Sequence, residues 1–384
     1  MGFEIDLLPV GNESKGGDAI ALRYGNLDGH RDEQTVIVID GGYQDDGEAL
    51  VEHLDRYYDT DRVDLVVSTH PDRDHIAGLS TVLTELSVGA LLMHVPERHD
   101  PFFGHQSSFE QKIAAVGETF AKSLTQAEDL YDLAQRRGIE VLEPFADTLP
   151  TPIDGFRILG PTWSYYETLL DEMRGRDVLA GSLSAREMAL KTAKGPIGTS
   201  HEDLHTEILS EQSETSASNN SSVISMLEID GRRILFTGDA GDEALRPVVD
   251  RLAQDGIAPG GLTFVQVPHH GSRKNVTPTL LDDLLGDITS TQRGHAYASV
   301  PLKNPEHRHP AKQTLNAFRR RGFPVISTAG STKRFFHGAP DRGWSKTTAL
   351  PLYDQVERFC RLTNRKRRCS WTRQARLIRS PPAD

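Results

Sequence analysis

An α/β fold built as a sandwich of two sheets is what the sequence predicts, and three observations carry that reading. Short β-branched or alternating segments recur between segments of helical spacing along most of the chain. Several of the strand-like segments end on a residue that can bind a metal, with glycine beside it, the usual place for ligands in α/β folds. Two strand-rich halves flank one long polar stretch, as two stacked sheets would.

The opening strands are Ile5–Val10, Ala19–Tyr24 and Val36–Ile39, and Asp40 followed by Gly41-Gly42 closes the third. Leu50, Val51, Leu54 and Tyr58 recur at helical spacing, so residues 47–59 read as a helix. DLVVS at 64–68 is a compact buried strand, and 69–78 is a polar loop. A helix from about Ile76 to Leu86, a strand Ala90–Val95 and a long helix Phe109–Arg137 follow, the last stopped by Gly138. Strands Ile139–Leu142 and Phe156–Leu159 and a helix Tyr165–Arg174 complete the first half. Residues 190–222 crowd Ser, Thr and Asn toward their end and read as a mobile insertion with at most one short helix. Beyond them come the hairpin Val223–Glu228 and Arg233–Thr237, a helix Asp242–Ala253, strands Phe264–Val267 and Asp287–Ser290, a helix His309–Arg321 and a strand Pro324–Thr328. Residues 1–350 are thus expected to form one domain carrying the insertion, and 351–384 a basic C-terminal segment.

A chain of 384 residues, 37% hydrophobic, can bury a substantial core. No apolar run approaches the length of a membrane span, and the start lacks a basic region followed by an apolar one, so neither a span nor a secretory signal is expected. Two cysteines cannot staple a fold of this size, which points to the cytoplasm. The net charge of −12 hides an asymmetry. Residues 1–302 hold 24 Lys/Arg against 50 Asp/Glu, whereas 303–384 hold 19 against 5. Arg319-Arg320-Arg321 and Arg365-Lys366-Arg367-Arg368, with Trp371 nearby, could neutralise a phosphate backbone and stack on a base. The expected partner is DNA or RNA; the alternative is an acidic protein or the chain's own acidic body.

The densest chemistry lies in Ser68-Thr69-His70-Pro71-Asp72-Arg73-Asp74-His75, where four ligand-type side chains fall within six residues directly after a buried strand. Such a loop can turn His70 and Asp72 toward one point and Asp74 and His75 toward a second. Neighbouring carboxylates raise each other's pKa and lose solvation, a cost that a divalent ion removes. The simpler alternative is a solvated loop in which Asp74 caps a helix and His75 packs. Asp40-Gly41-Gly42, Gly238-Asp239 and His269-His270-Gly271-Ser272 close three further strands with ligand-type residues beside glycine, a recurrence the simpler alternative does not explain.

Together with GGDAIAL at 16–22, VIVIDGG at 36–42, NNSSVISMLEIDGRRILFTGD at 219–239, VPHHGS at 267–272, His309-Pro310 and VISTAG at 325–330, these segments resemble the metallo-β-lactamase superfamily. Within it they are similar to the hydrolase domain of competence-type DNA-uptake channel proteins and their stand-alone relatives, though the membrane channel of the former has no counterpart here. The resemblance implies a four-layer αββα sandwich and two divalent metal ions. His70 and Asp72 would hold one ion, Asp74 and His75 the other, Asp239 would bridge them, and His270 or His269 would complete a shell, with His270 favoured and His269 then a phosphate contact. Asp40 would orient the loop or a ligand histidine. His309 would be a ligand or proton donor, and His307 is the less favoured alternative. The commoner superfamily loop has histidine where Asp72 stands, and a further family histidine has no clear counterpart among His94, His99, His105, His201 and His205. Exchanging imidazole for carboxylate hardens the site, so manganese or magnesium join zinc as candidates, and the first ion would be the more weakly held.

The expected activity is metal-dependent hydrolysis, by a nuclease or nucleic-acid phosphodiesterase whose nucleophile is a hydroxide bridging the two ions. Asp74, Asp239, His269 and His309 are the expected catalytic residues, and Ser272, Arg273 and Lys274 the candidate phosphate contacts. Two alternatives stand beside it. One is a hydrolase of a small phosphodiester, cyclic nucleotide or lactone, with 190–222 as a lid; the other is an inactive module that binds nucleic acid or protein.

Overall fold

A computed structural model describes residues 1–12, 16–104, 107–147, 153–180, 198–303, 309–358 and 376–377. In chain order the strands of the first half are β1 (Gly2–Leu7), β2 (Ala19–Gly25), β3 (Gln34–Gly41), β4 (Arg62–Val67), β5 (Ser87–Leu92), β6 (Glu140–Leu142) and β7 (Phe156–Gly160). Those of the second half are β8 (Gly198–His201), β9 (Thr206–Glu207), β10 (Ile224–Ile229), β11 (Arg232–Phe236), β12 (Phe264–Gln266), β13 (His295–Ala298), β14 (Val325–Ser327), β15 (Lys333–His337), β16 (Gln355–Arg358) and β17 (Arg376–Leu377).

Two sheets share one plan. The first runs β15-β1-β2-β3-β4-β5-β6 and the second β14-β13-β12-β11-β10-β7. In the first, β1, β2 and β3 are antiparallel and β3 to β6 parallel; in the second, β7, β10 and β11 are antiparallel and β11 to β14 parallel. Each parallel run therefore presents several strand ends at one edge, and the two edges face the same cleft.

Strand alternation builds the layers. Ile37, Ile39, Leu65 and Val67 point between the sheets and meet Phe156, Leu227, Phe236, Phe264 and Tyr297. Val36, Val38 and Val66 point outward and are covered by helices α1 (Gln44–Tyr58), α2 (Arg73–Ile76), α3 (Leu79–Glu85) and α4 (Phe109–Arg137). The helices Asp242–Gln254, Pro278–Leu285 and Lys312–Arg320 cover the second sheet in the same way. The expected four-layer αββα sandwich is what the chain forms.

The helix expected at about 76–86 is α3 alone, and α2 lies within the expected loop. Between them Gly78 packs against the backbone of Gly41, where a Cβ would overlap the carbonyl oxygen.

Described residues of the expected insertion and of the expected C-terminal segment pair with one another. Residues 190–197 lie outside the described residues, but 198–222 are built into the fold. Strand β8 pairs with β16, β9 pairs with β17, and residues 217–220 form a buried helical turn. The cause is a set of buried ion pairs. Arg321 donates to both oxygens of Glu207 at 2.9 and 3.0 Å and to Asp282 at 2.9 Å, while Arg320 lies 3.5 Å from Glu202 and donates to the Asp203 carbonyl. Arg320 is 0% exposed and Arg321 1%, so neither can meet a nucleic acid as expected. Arg319 is half-buried and donates to the Leu350 carbonyl. Breaking a buried pair of this kind costs about 3–5 kcal/mol, because the partner charge is left uncompensated. Arg365, Lys366, Arg367, Arg368 and Trp371 lie outside the described residues.

Candidate metal centre

The strand ends deliver the polar residues to one place. Asp40, next to last in β3, has a φ of 55°, a strained conformation for a non-glycine residue, and its carboxylate explains why it is held there. One oxygen accepts from the Thr69 amide at 2.8 Å; the other accepts from the Thr69 hydroxyl at 2.6 Å and from His75 Nδ1 at 2.7 Å. The Thr69 hydroxyl, having given its proton to Asp40, receives one from His70 Nδ1 at 3.0 Å. Both imidazoles are thereby fixed with Nδ1 protonated, which leaves the Nε2 lone pairs of His70 and His75 facing inward.

Those lone pairs converge on Asp239. Its Oδ1 lies 3.5 Å from His75 Nε2 and 3.6 Å from His270 Nε2, and its Oδ2 lies 3.9 Å from His70 Nε2. Asp72 Oδ2 is 3.7 Å from the same His70 nitrogen. Asp72 stands at the start of α2 but its carboxylate makes no capping bond to that helix. Asp74 completes a group with His75 and His270, and a further group joins His70, His75 and Asp239.

The two histidines after β12 part ways. Both have left-handed backbones, with φ of 48° and 54°. His270 turns inward and is buried; His269 turns to the open side with its side chain 32% exposed. His269 Nδ1 receives a bond from Asn219 at 2.7 Å, and its ring stacks on that of His309 with centroids 6.0 Å apart. Ser272 is buried within the turn, its hydroxyl accepting from the Lys274 amide, and Lys274 is exposed and paired with Glu214. Arg273 is half-buried.

Sequence reasoning missed four contributors. Asp18, at the foot of β2, is fully buried behind His75 and His270. Ser218 donates to Asp72 at 2.8 Å, Asn219 donates to Asp239 Oδ2 at 3.3 Å, and Ser222 sits between His70 and the Asp239 amide. Among the described residues, His94 and His99 lie instead in an aromatic group with Phe145 and Tyr166, and His201 and His205 are exposed. His105 and His307 lie outside the described residues.

Burial and the crowding of carboxyl groups set the electrostatics of the cluster. Burial pushes Asp18 up to about 8, reinforced by Asp239, Asp40 and Asp74 and opposed by His75, and burial likewise raises Asp74. Burial also opposes charge on Asp239, but His269, His75 and His270 outweigh it and hold that carboxyl well below its usual range. Burial drives His270 well below the ordinary imidazole value. The Nε2 atoms of His70, His75 and His270 and Oδ1 of Asp239 are buried without a hydrogen-bond partner. Unsatisfied polar atoms of this kind are costly unless something else coordinates them, and four of them pointing at a shared space fit a divalent cation.

The family model described as the metallo-beta-lactamase superfamily matches residues 30–171, which include the His70–His75 loop. The chain has the metallo-β-lactamase fold. No curated protein sequence matches it. Solved structures similar to it include the metallo-beta-lactamase fold protein YhfI from Bacillus subtilis, at 8% identity over 88% of this chain and 100% of that one, with a TM-score of 0.40. Zn(2+)-bound PqqB from Methylobacterium extorquens is 13% identical over 86% of this chain and 99% of its own, with a TM-score of 0.40. The long form RNase Z from yeast is 11% identical over 87% of this chain and 41% of its own, with a TM-score of 0.34. Among the described residues of this metallo-β-lactamase-like chain, no helix is long and apolar enough to cross a membrane.

Proposed function

We propose that the chain is a metal-dependent hydrolase acting on phosphodiesters, in the first place those of nucleic acid. The observation that carries this reading is the Asp239 carboxylate, with His75 and His270 on one oxygen and His70 on the other. Such a residue can serve two ions at once. His70, Asp72 and Asp239 would hold one; Asp74, His75, His270 and Asp239 would hold the other. Divalent ions there lower the pKa of a water and offset the charge that phosphoryl oxygens gain as a bond breaks. Manganese, magnesium and zinc all suit a mixed carboxylate and imidazole set.

The remaining residues orient and donate. With Nδ1 accepting from Asn219, His269 carries its proton on Nε2, and it stands with His309 on the open side, placed to donate to a phosphate oxygen or a leaving group. Arg273, half-buried just after the histidine pair, is a further candidate for a phosphate contact. The likeness to competence-type hydrolase domains and the basic run at 365–368 support nucleic acid as the substrate class, as a charge argument. Burial of Arg320 and Arg321 removes two of the charges in that argument and favours, as the second reading, a small phosphodiester, cyclic nucleotide or lactone.

The test compares wild type with Asp239→Ala on labelled single- and double-stranded DNA and RNA, each with manganese, magnesium and zinc. Cleavage that the substitution abolishes supports the first reading. Turnover of a small phosphodiester such as bis-p-nitrophenyl phosphate, with every nucleic acid left intact, selects the second.

A further inference from the structure

Asp18 is the most deeply buried carboxylate at the centre to which the reading above gives no task. It belongs to a strap, Gly16-Gly17-Asp18, that runs behind the Asp74/His75/His270 side. A Cβ on Gly16 would lie 3.3 Å from Cγ of His270, so the strap backbone lies close against that ring. A Cβ on Gly17 would overlap the carbonyl oxygen of Asp74. The strap is fixed in turn: the Asp18 amide donates to the Asp74 carbonyl at 3.2 Å, the Gly42 amide donates to the Asp18 carbonyl at 2.8 Å, and the Ser299 hydroxyl donates to the Gly17 carbonyl at 2.7 Å. The ends of β3 and β13 and the ligand loop are thus tied to Gly17 and Asp18.

The Asp18 carboxylate faces the back of both imidazoles. Its oxygens lie 3.7 Å from His75 Nδ1 and 4.0 Å from His270 Nδ1, whereas the Nε2 atoms of both rings face Asp239. His75 Nδ1 already gives its proton to Asp40 at 2.7 Å. His270 Nδ1 has no hydrogen-bond partner, and neither has Asp18 Oδ2. An acceptor oxygen behind an imidazole favours the tautomer with the proton on the near nitrogen, which leaves the far nitrogen with its lone pair.

We propose that Asp18 is the positioning residue for His270, as Asp40 is for His75, and that the glycines before it exist to bring its carboxylate and the strap backbone against the ligand histidine. This rests on reading the cluster as a metal centre. Asp18 acts through His270, so its removal loosens the ion held with His75 and Asp74 and leaves the His70/Asp72 side in place.

Cobalt(II) binding to the full chain tests it, read by equilibrium dialysis and by the visible absorption of the bound ion. Asp18→Asn is expected to weaken the tighter cobalt site roughly 10–100-fold, the usual effect of losing such a partner, and to change its absorption bands. The thermal midpoint of the metal-free protein should not fall, because a buried carboxylate oxygen without a donor gives way to a neutral amide of the same shape. A merely structural residue would lower the midpoint and leave the bands alone. Gly16→Ala, which keeps every carboxylate but presses on the His270 ring, should weaken the same site and covers the case in which Asp18→Asn does not fold. If wild type binds cobalt and both variants bind it with unchanged affinity and absorption, the role of Asp18 is overturned while the metal centre stands. If wild type binds no cobalt, manganese or zinc, the metal centre falls and this inference with it.

Discussion

The two oxygens of Asp239 face unlike surroundings. On the Oδ1 side stand His75 and His270, both buried, with Asp74 beside them and the carboxylates of Asp40 and Asp18 behind. On the Oδ2 side stand His70 and Asp72, backed by Thr69, Ser218, Asn219 and Ser222, and the Asp72 side chain is 33% exposed. One side is dense in carboxyl groups; the other has Asp72 alone among neutral groups that already occupy part of the ligands' bonding capacity. A cation is held by charge and by free lone pairs, so the Oδ1 side should bind first and release last.

The largest effect is expected at the residue both sides share. Asp239→Ala should remove both ions and reduce hydrolysis to background, as read by elemental analysis of the dialysed protein and by turnover. Next in size, His270→Ala should lose the tightly held ion, whereas His70→Ala should keep it and lose only the weaker one. Equal losses from the two variants would erase the distinction between the sides. Asp40→Asn keeps the shape but weakens the grip on His75 and Thr69, and isothermal titration should show metal affinity roughly 10–100-fold lower. The smallest effect is a gain: Asn219→His places an imidazole near Asp239 Oδ2 and should tighten the second ion, seen as two ions per chain at lower free metal.

The ligands of both sides were legible in the sequence, because His70 to His75 form one short loop and Asp239 and His270 follow strands beside glycine. Asp18 was not, although GGD directly before a strand was the available signal: a lone aspartate there reads equally well as a turn former. The neutral groups of the Oδ2 side were obscured for another reason. Ser218, Asn219 and Ser222 end a Ser/Thr/Asn-rich stretch whose composition reads as mobile, and only tertiary packing against Asp72 and Asp239 gives them fixed places. Arg320 and Arg321 misled in the same way. A run of three arginines reads as a surface patch when its partners cannot be seen, and Glu207 lies 114 residues away inside that same polar stretch. Periodicity recovered most strands of the sandwich, but it set one at Asp287–Ser290, where the chain forms none, and missed β13 at His295–Ala298; the return of β15 to the edge of β1 rests on a pairing across more than 300 residues, which local pattern does not record.

Anomalous diffraction from crystals grown with manganese tests the central claim most directly. A strong peak bounded by Asp74, His75, His270 and Asp239, with a weaker one between His70, Asp72 and Asp239, is the result expected. Density for no ion in contact with Asp239, in crystals that hold manganese elsewhere, would contradict it.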